Sequence, residues 1–130
     1  MKVKGTNNSL HIGDNTTAQD AYIIAEENHN VEIGKDCMIS SDILIRTTDA
    51  HSIIDLETGQ RKNPARSIHI GHHVWLGMGC VIAPGASIAN NCIVATRAVV
   101  TKIFDKPHCT VGGVPARVLS ENVDWDRKRL

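Results

Sequence analysis

The chain has 130 residues, a formal net charge of zero and aromatic residues at only 3% of its positions. This length is typical of one domain, and the balanced charge gives no electrostatic reason to expect a nucleic-acid partner. No stretch approaches the roughly 20 apolar residues of a membrane span, and residues 1–4 contain no apolar signal region. We therefore expect no membrane span and a cytoplasmic location.

Aliphatic residues recur at six-residue spacing in the first third of the chain, with one interruption. A first group of three is followed by the polar residues 26–30, which predict a bulge, and a second group of three then resumes the spacing. The positions are Ile12, Ala18, Ile24, Ile33, Ile39 and Ile45.

The period is lost over residues 46–67. Long insertions without a repeat are usually functional or disordered in a compact domain, and this one lies between two regular stretches. We therefore predict a projecting loop over about 46–67.

The strongest repeat covers residues 70–102. Every sixth residue is aliphatic, and the residue that follows each of them is small or short. The aliphatic positions are Ile70, Leu76, Ile82, Ile88, Val94 and Val100. An α-helix requires a period of 3.6 and an isolated strand a period of 2. A period of six is typical of the β-helix, in which short strands and turns wrap into a flat-sided coil.

Three six-residue sides per coil would place residue i beneath residue i+18, at the strand spacing of about 4.8 Å. This arrangement puts Gly77, Ala95 and Gly113 in one column, along which a slender ligand could lie against the backbone. The compact inward positions of three units are cysteines, which predicts reduced core thiols rather than a zinc site. These cysteines are Cys37, Cys80 and Cys92.

The repeat ends at residues 105–107. Residues 111–118 are predicted to form a last turn of coil, and residues 120–130 a short C-terminal helix with Ser120 as its N-cap. The sequence therefore predicts a single all-β domain over residues 1–130, closed by a C-terminal cap at about 103–130.

Several motifs resemble the hexapeptide-repeat acyltransferases that use acetyl-coenzyme A. They are Ile70-Gly71-x-x-Val74-Trp75-Leu76-Gly77, Ile82-Ala83-Pro84-Gly85, Val99-Val100-Thr101-Lys102 and Gly113-Val114-Pro115-Ala116-Arg117. Residues 46–53 are similar to the branch that acetylates sugars in capsule and O-antigen synthesis, a relative of the maltose and galactoside acetyltransferases. The resemblance implies a single-stranded left-handed parallel β-helix and a homotrimer with active sites between subunits. It also implies acetyl-CoA as co-substrate and a sugar or nucleotide-sugar acceptor.

Acetyl transfer to a hydroxyl requires a base near the acceptor oxygen. His51 matches the catalytic position of the family, and an imidazole that titrates near pH ~6.5 can accept the proton. Asp49 would face the same way as His51 on an extended segment and could hold the imidazole tautomer, although a solvated aspartate is an equal alternative. A backbone N–H within residues 76–78 is our candidate donor for the oxyanion.

The resemblance also predicts the residues that contact the cofactor. Matching positions and the small column together give Gly77, Met78, Ala95, Thr96, Thr101, Lys102 and Arg117. Lys102 and Arg117 would meet the phosphates. Arg97 stands where small residues are usual in the family, so it either narrows the cofactor groove or itself binds a phosphate.

Trp75 takes an outward position and is predicted to bind the acceptor or to pack between subunits. His69, His72 and His73 lie close to it in sequence, and γ-class carbonic anhydrases share this coil and bind zinc through three histidines. Neighbouring strand residues point to opposite faces, so His72 and His73 are poorly placed to share a metal, and we expect none.

The prediction is therefore an acetyl-CoA-dependent sugar O-acetyltransferase of surface-polysaccharide biosynthesis. An amino-sugar N-acetyltransferase, a zinc-dependent lyase and a non-catalytic scaffold remain as alternatives.

Overall fold

The computed structural model of the chain describes residues 1–5 and 8–130. Over these residues the regular secondary structure consists of short strands. They are β1 (Lys2–Lys4), β2 (Leu10–Ile12), β3 (Thr17–Ala18), β4 (Ala21–Ile24), β5 (Val31–Ile33), β6 (Met38–Ile39), β7 (Ile43–Arg46), β8 (Ile68–Ile70), β9 (Trp75–Leu76), β10 (Val81–Ile82), β11 (Ser87–Ile88), β12 (Ile93–Val94), β13 (Val99–Val100), β14 (Ile103–Phe104), β15 (Cys109–Gly113) and β16 (Ala116–Glu121). No helix in this described part is long and apolar enough to cross a membrane.

The strands form three sheets that wrap around one axis. Sheet A has the order β1-β4-β7-β10-β13, sheet B has β14-β11-β8-β5-β2, and sheet C has β16-β15-β12-β9-β6-β3. Neighbouring strands are parallel except for the final pair, β15 and β16. Each coil therefore contributes one strand to each sheet, which confirms the all-β coil expected from the six-residue period.

The inward side chains of successive coils form one continuous core. In two-residue strands such as β9, Trp75 is half-buried and Leu76 is fully buried, because successive side chains point to opposite faces. The four cysteines are free thiols buried in this core, as predicted for three of them, and burial raises the pKa of Cys80 to about 12. Such thiols remain protonated and pack as small apolar groups.

The predicted register is wrong at one position of the first coil, Ile24. Ile12 and Ala18 pair with the buried residues Ile33 and Ile39 as predicted, but Ile24 is only half-buried, whereas Ile23 is buried. The cause is the pairing of the longer strands β4 and β7, which aligns Ile23 with the buried Ile45 and leaves Ile24 beside Arg46.

The last coil is one residue shorter than predicted. The turn between β13 and β14 consists of Thr101 and Lys102, two residues fewer than the turn 83–86 between β10 and β11, so Ser87 pairs with Ile103, 16 residues on. The next side is one residue longer, and β12 and β15 therefore pair Val94 with Val111, 17 residues on. Gly112, and not Gly113, therefore continues the column of small residues.

The small residues of the column are required for coil stacking. A Cβ atom on Gly77 would lie 2.6 Å from the backbone oxygen of Val94, and one on Gly112 would lie 2.8 Å from the Cβ of Ala95. Neither position could accept a side chain unless the coils moved apart. The column thus forms a flush corner between sheets C and A.

The predicted C-terminal helix is wrong. Ser120 lies in β16, opposite Thr110, in an antiparallel hairpin with β15. β15 would otherwise be the open edge of sheet C, and the returning strand satisfies its backbone groups. The segment 122–130 then continues without regular structure along the coil.

Candidate active site

The loop that carries His51 leaves the coil after β7 and returns to it at β8. Its two ends meet, because the Arg66 N–H donates to the Thr47 carbonyl at 2.9 Å. Between them, residues 53–62 form a small hairpin, closed by an antiparallel bridge of Ile54 with Arg61. The insertion therefore starts and ends at one corner of the coil, the corner between sheets A and B.

The polar bulge at residues 26–30 holds the base of this loop. The Arg61 guanidinium bonds both carboxylate oxygens of Glu27, at 2.7 and 3.3 Å, and the Thr48 hydroxyl donates to the same carboxylate. The hydroxyl of Thr47, a fully buried residue, bonds the backbone of Glu26. The Arg61 hydrogen bond lowers the pKa of Glu27, which keeps this carboxylate ionised.

Asn63 connects the two predicted catalytic residues. Its side-chain amide nitrogen donates to the Asp49 carboxylate and to the His51 carbonyl oxygen, both at 2.9 Å. The Asp49 carboxylate also lies 3.4 Å from the Arg46 guanidinium. Within residues 1–5 and 8–130, no hydrogen bond reaches the His51 imidazole, which is exposed.

The geometric argument for Asp49 therefore fails in this chain. Ala50 has a φ of 68°, so the backbone turns between Asp49 and His51 and the alternation of an extended strand does not apply. The carboxylate is directed to Asn63 and Arg46 instead of the imidazole.

A cavity of about 290 Å³ lies at the foot of the loop. It is lined by Asp49, Lys62, Asn63, Pro64, Arg66, Ala83, Pro84 and Thr101. The cavity thus brings the predicted cofactor residue Thr101 together with Asp49, on the corner between sheets A and B.

The other predicted cofactor residues, except Lys102, lie at the next corner along sheet A. Gly77 and Ala95 form the flush column there, and the exposed residues Met78 and Thr96 follow them. Arg117 pairs with Gly112 across β15 and β16, so its position is at the end of the same column. The exposed Lys102 lies on the Thr101 corner, with its ammonium 5.3 Å from the Phe104 ring centroid.

The backbone at this corner limits the choice of oxyanion donor. The Gly77 N–H donates to the Val94 carbonyl at 2.8 Å and is used in coil stacking. Across the described residues, no protein acceptor takes the Met78 N–H. Met78 is therefore the member of residues 76–78 whose amide is available.

Arg97 lies across the same corner. Its side chain covers Gly79, and its guanidinium lies 3.0 Å from the Asp42 carboxylate. Both groups are mainly exposed, so the pair is held only weakly.

Trp75 stands in a groove of about 510 Å³ on the outer face of sheet C. The groove is lined by Thr17, Ala18, Gln19, Met38, Ile39, Ser40, Trp75 and Arg127. The Trp75 indole N–H donates to the Ser40 hydroxyl at 3.3 Å. Sheet C is the side opposite the corner from which the His51 loop projects, so one chain does not bring His51 and Trp75 together.

The three clustered histidines each bond different partners. His69 lies beside Glu32, His72 accepts a hydrogen bond from the Lys35 backbone, and His73 bonds Asp36. No group of three or more histidine, cysteine, aspartate or glutamate side chains suited to a metal ion occurs in the parts of the chain that the structure describes.

Known proteins share this architecture and parts of this sequence. The family model "Bacterial transferase hexapeptide (six repeats)" matches residues 67–102. The crystal structure of the polysialic acid O-acetyltransferase OatWY superposes with a TM-score of 0.90 and 35% identity, over 98% of this chain and 71% of that chain. The chain belongs to the bacterial hexapeptide transferases. This confirms the family expected from the motifs, and the coil is the left-handed β-helix of these acetyltransferases.

Two further relatives of this hexapeptide transferase are similar over most of its length. The polysialic acid O-acetyltransferase of Neisseria meningitidis is 42% identical over 120 residues, which is 92% of this chain and 56% of that protein. The structure of the polySia-specific acetyltransferase NeuO superposes with a TM-score of 0.91 and 30% identity, over 98% of this chain and 60% of that one. The chain thus spans just over half the length of the curated relative.

Sequence reasoning missed Asn63, Glu27 and Trp125. Asn63 and Glu27 act through contacts between segments that are distant in sequence, and no local pattern marks them. Trp125 had a visible signal, because a large aromatic residue in a polar terminal segment of a chain with two tryptophans requires a packing partner.

Proposed function

We propose that this hexapeptide transferase moves an acetyl group from acetyl-CoA to a sugar hydroxyl in surface-polysaccharide biosynthesis. The observation that carries the proposal is the likeness to O-acetyltransferases at 35% to 42% identity over nearly the whole chain. His51, exposed on a loop that is clamped to the coil at both ends, serves as the general base. Its imidazole takes the proton of the acceptor hydroxyl as the oxygen attacks the thioester carbonyl. The tetrahedral intermediate then collapses, the carbon–sulfur bond breaks, and the imidazolium returns the proton to the sulfur of the leaving CoA.

Asn63 and Asp49 position the base. The Asn63 amide bonds the His51 backbone and the Asp49 carboxylate together, so Asp49 acts on the base through Asn63 and not through a bond to the imidazole. The Met78 N–H is the donor for the oxyanion that forms when the hydroxyl attacks.

Acetyl-CoA fits the residues that border sheet A. The column of Gly77, Ala95 and Gly112 offers a wall of small residues, with the Leu119 side chain packed against Gly112 at its end, and Met78 and Thr96 are exposed beside it. Lys102 and Arg117 take part in no ion pair within the described residues, so their charges are available for phosphates. No metal is required for this chemistry.

The active site is shared between copies of the chain in a homotrimer. His51 projects from the corner opposite sheet C, whereas Trp75 stands in the groove of that sheet. A ring of three copies related by a head-to-tail contact lets the loop of one copy reach the Trp75 groove of the next. Trp75 then contacts the sugar acceptor.

The acceptor is best identified by direct assay. Purified chain and acetyl-CoA are incubated with polysialic acid, galactosides, nucleotide sugars or amino sugars, and thiol release is recorded against a blank without acceptor. We expect release with a hydroxyl-bearing sugar and an O-acetyl signal in the product. Thiol release that requires the amine of an amino sugar would indicate N-acetylation instead of O-acetylation. The absence of thiol release with every acceptor would contradict the proposal.

A further inference from the structure

The segment 122–130 forms a strap that lies against the turn before β9. Its centre is Trp125, which is 8% exposed. The Trp125 indole stacks on the His73 imidazole, with ring centroids 3.9 Å apart and planes 6° apart. Each side chain also bonds the backbone of the other residue. The indole N–H donates to the His73 carbonyl at 2.8 Å, and the Trp125 carbonyl lies 3.0 Å from His73 Nε2.

Both ring nitrogens of His73 face hydrogen-bond acceptors. Nδ1 lies 2.7 Å from the Asp36 carboxylate, and Nε2 lies 3.0 Å from the Trp125 carbonyl and 3.3 Å from the Asp124 carboxylate. A neutral imidazole carries one N–H and can satisfy only one of these sides, whereas an imidazolium satisfies both. The bonding pattern of the closed strap therefore requires a protonated His73.

The other charge that faces this node is Arg127. Its guanidinium donates to Asp36 at 2.6 Å and to the Cys37 carbonyl at 3.0 Å, and it lies 5.2 Å from the Trp125 ring. The Trp125 indole thus contacts His73 and lies within cation–π distance of Arg127. Arg127 and His73 share Asp36 as their counter-ion.

The strap also reaches the Trp75 groove. The Trp75 and Trp125 ring centroids are 6.2 Å apart, with planes tilted by 52°, and Arg127 is one of the residues that line the groove. An open strap would remove one neighbour of the Trp75 indole and one part of the groove wall.

We propose that the strap closes only while His73 is protonated, and that Trp125 in its closed position orients Trp75 in the groove. Trp125 and His73 are positioning residues, because they act on the acceptor side through Trp75. The consequence for catalysis depends on the function proposed above, whereas the proton-dependent closure does not.

The direction of the effect follows from the surroundings of His73. Burial alone would lower the pKa of its imidazole, but the bond to Asp36, the Trp125 carbonyl and the charge of Asp124 outweigh burial and raise it. A raised pKa stabilises the closed strap most at a pH below the ordinary histidine value of about 6.5. Closure is lost as the pH rises through the higher folded-state value.

Tryptophan fluorescence tests the closure without any assay of activity. The chain has two tryptophans, so Trp75→Phe leaves Trp125 as its only indole. We expect its emission to move to longer wavelength as the pH rises from 5 to 9, with a midpoint above about 6.5. Adding His73→Gln should abolish the pH dependence, whereas adding His72→Gln on the neighbouring residue should leave it. A flat profile, or a titration that survives His73→Gln, would overturn the proposal.

Hydrogen–deuterium exchange of the unmodified chain covers the case in which Trp75→Phe disturbs the fold. After correction for the intrinsic rates, backbone amides of residues 122–130 should lose protection at high pH while those of β9 and β12 keep it. Equal protection of the strap at both pH values would refute proton-dependent closure.

A kinetic comparison tests the effect on Trp75. The KM for the acceptor should rise with pH in the unmodified chain and become independent of pH in His73→Gln, with the KM for acetyl-CoA unchanged in both. An acceptor KM that keeps its pH dependence in His73→Gln would refute the positioning role. A chain that transfers no acetyl group would contradict the proposed function, and fluorescence would still decide the strap.

Discussion

The side-chain amide of Asn63 donates one hydrogen bond to the carboxylate of Asp49, at 2.9 Å, and another to the backbone of the proposed base. Because this amide fixes the loop at the residue that must meet the acceptor, we expect Asn63→Ala to lower kcat/KM by roughly tenfold, the effect of about 1.4 kcal/mol on the barrier. Steady-state kinetics with the identified acceptor measures this. Thr58→Ala at the hairpin tip is the control, and equal activity of both variants would refute the role of Asn63.

A shared site predicts complementation between two inactive variants. His51→Ala and Trp75→Ala should each reduce transfer, by about 10²-fold or more for the base. When the two variants are unfolded together and refolded as a mixture, about a quarter of the sites should combine an intact His51 with an intact Trp75 from the neighbouring copy. As a further check, the mass of the native protein in solution should be that of a trimer.

The complementation experiment has clear negative results. Mixed variants that show no more activity than either alone would contradict a site formed by two copies. Near-normal turnover by His51→Ala would eliminate it as the base, and a monomeric native chain would contradict every intersubunit contact proposed above.

The two neighbouring lysines of the last coil allow a matched test of cofactor binding. Lys102 takes part in no ion pair within the described residues, whereas Lys106 is paired with Glu121 at 3.0 Å. We expect Lys102→Ala to weaken CoA binding several-fold and to make it less sensitive to salt, because one phosphate contact is lost. Titration calorimetry measures both. Lys106→Ala should bind nearly as the unmodified chain does, and an equal loss in the two variants would indicate a general charge effect.

Acid should release the loop from the coil. The pKa of Glu27 is lowered by its bond to Arg61, so the clamp contributes stability above the ordinary glutamate pKa and loses it as the pH falls through the lowered value. Cleavage after Lys62 by an acid-tolerant lysine-specific protease should therefore accelerate at low pH. Glu27→Gln should be cleaved quickly even at neutral pH, whereas Glu57→Gln, in the same hairpin, should resist cleavage there as the unmodified chain does.

The period of six was sufficient to predict the coil and its core from Ile70 to Val100. Every one of these aliphatic positions is buried. Each side of the coil takes six residues and turns one strand residue inward, so the buried positions recur at the same spacing. The first coil was misread, since a four-residue strand accepts either Ile23 or Ile24 as its inward residue and only the pairing with β7 selects between them. The turn at Thr101 and Lys102 is two residues shorter than expected and the following side is one residue longer, and this net shift of one replaced Gly113 by Gly112 in the column.

The roles of His51 and Trp75 stay predictions, the first from the resemblance to a family and the second from an outward position in the repeat. The contacts of Asp49 could not be predicted, because they depend on the backbone turn at Ala50 and on Asn63, 14 residues away. The prediction of a C-terminal helix was wrong for a similar reason. The charged end of the chain has helical composition, but the open edge of β15 takes residues 116–121 as a strand, and Trp125 then holds the remainder on His73.

The hydrogen bond between Thr47 and Arg66 closes the loop that carries His51 at its base, so the loop is a separate unit on the coil. On either side of the loop, β7 and β8 pair in register with the neighbouring strands of their sheets, and the hairpin at 53–62 takes no part in this pairing. If the proposed function holds, the acceptor can change by exchange of this one segment while the coil that binds the donor stays the same. The same junction is then a point at which loops could be exchanged between related chains.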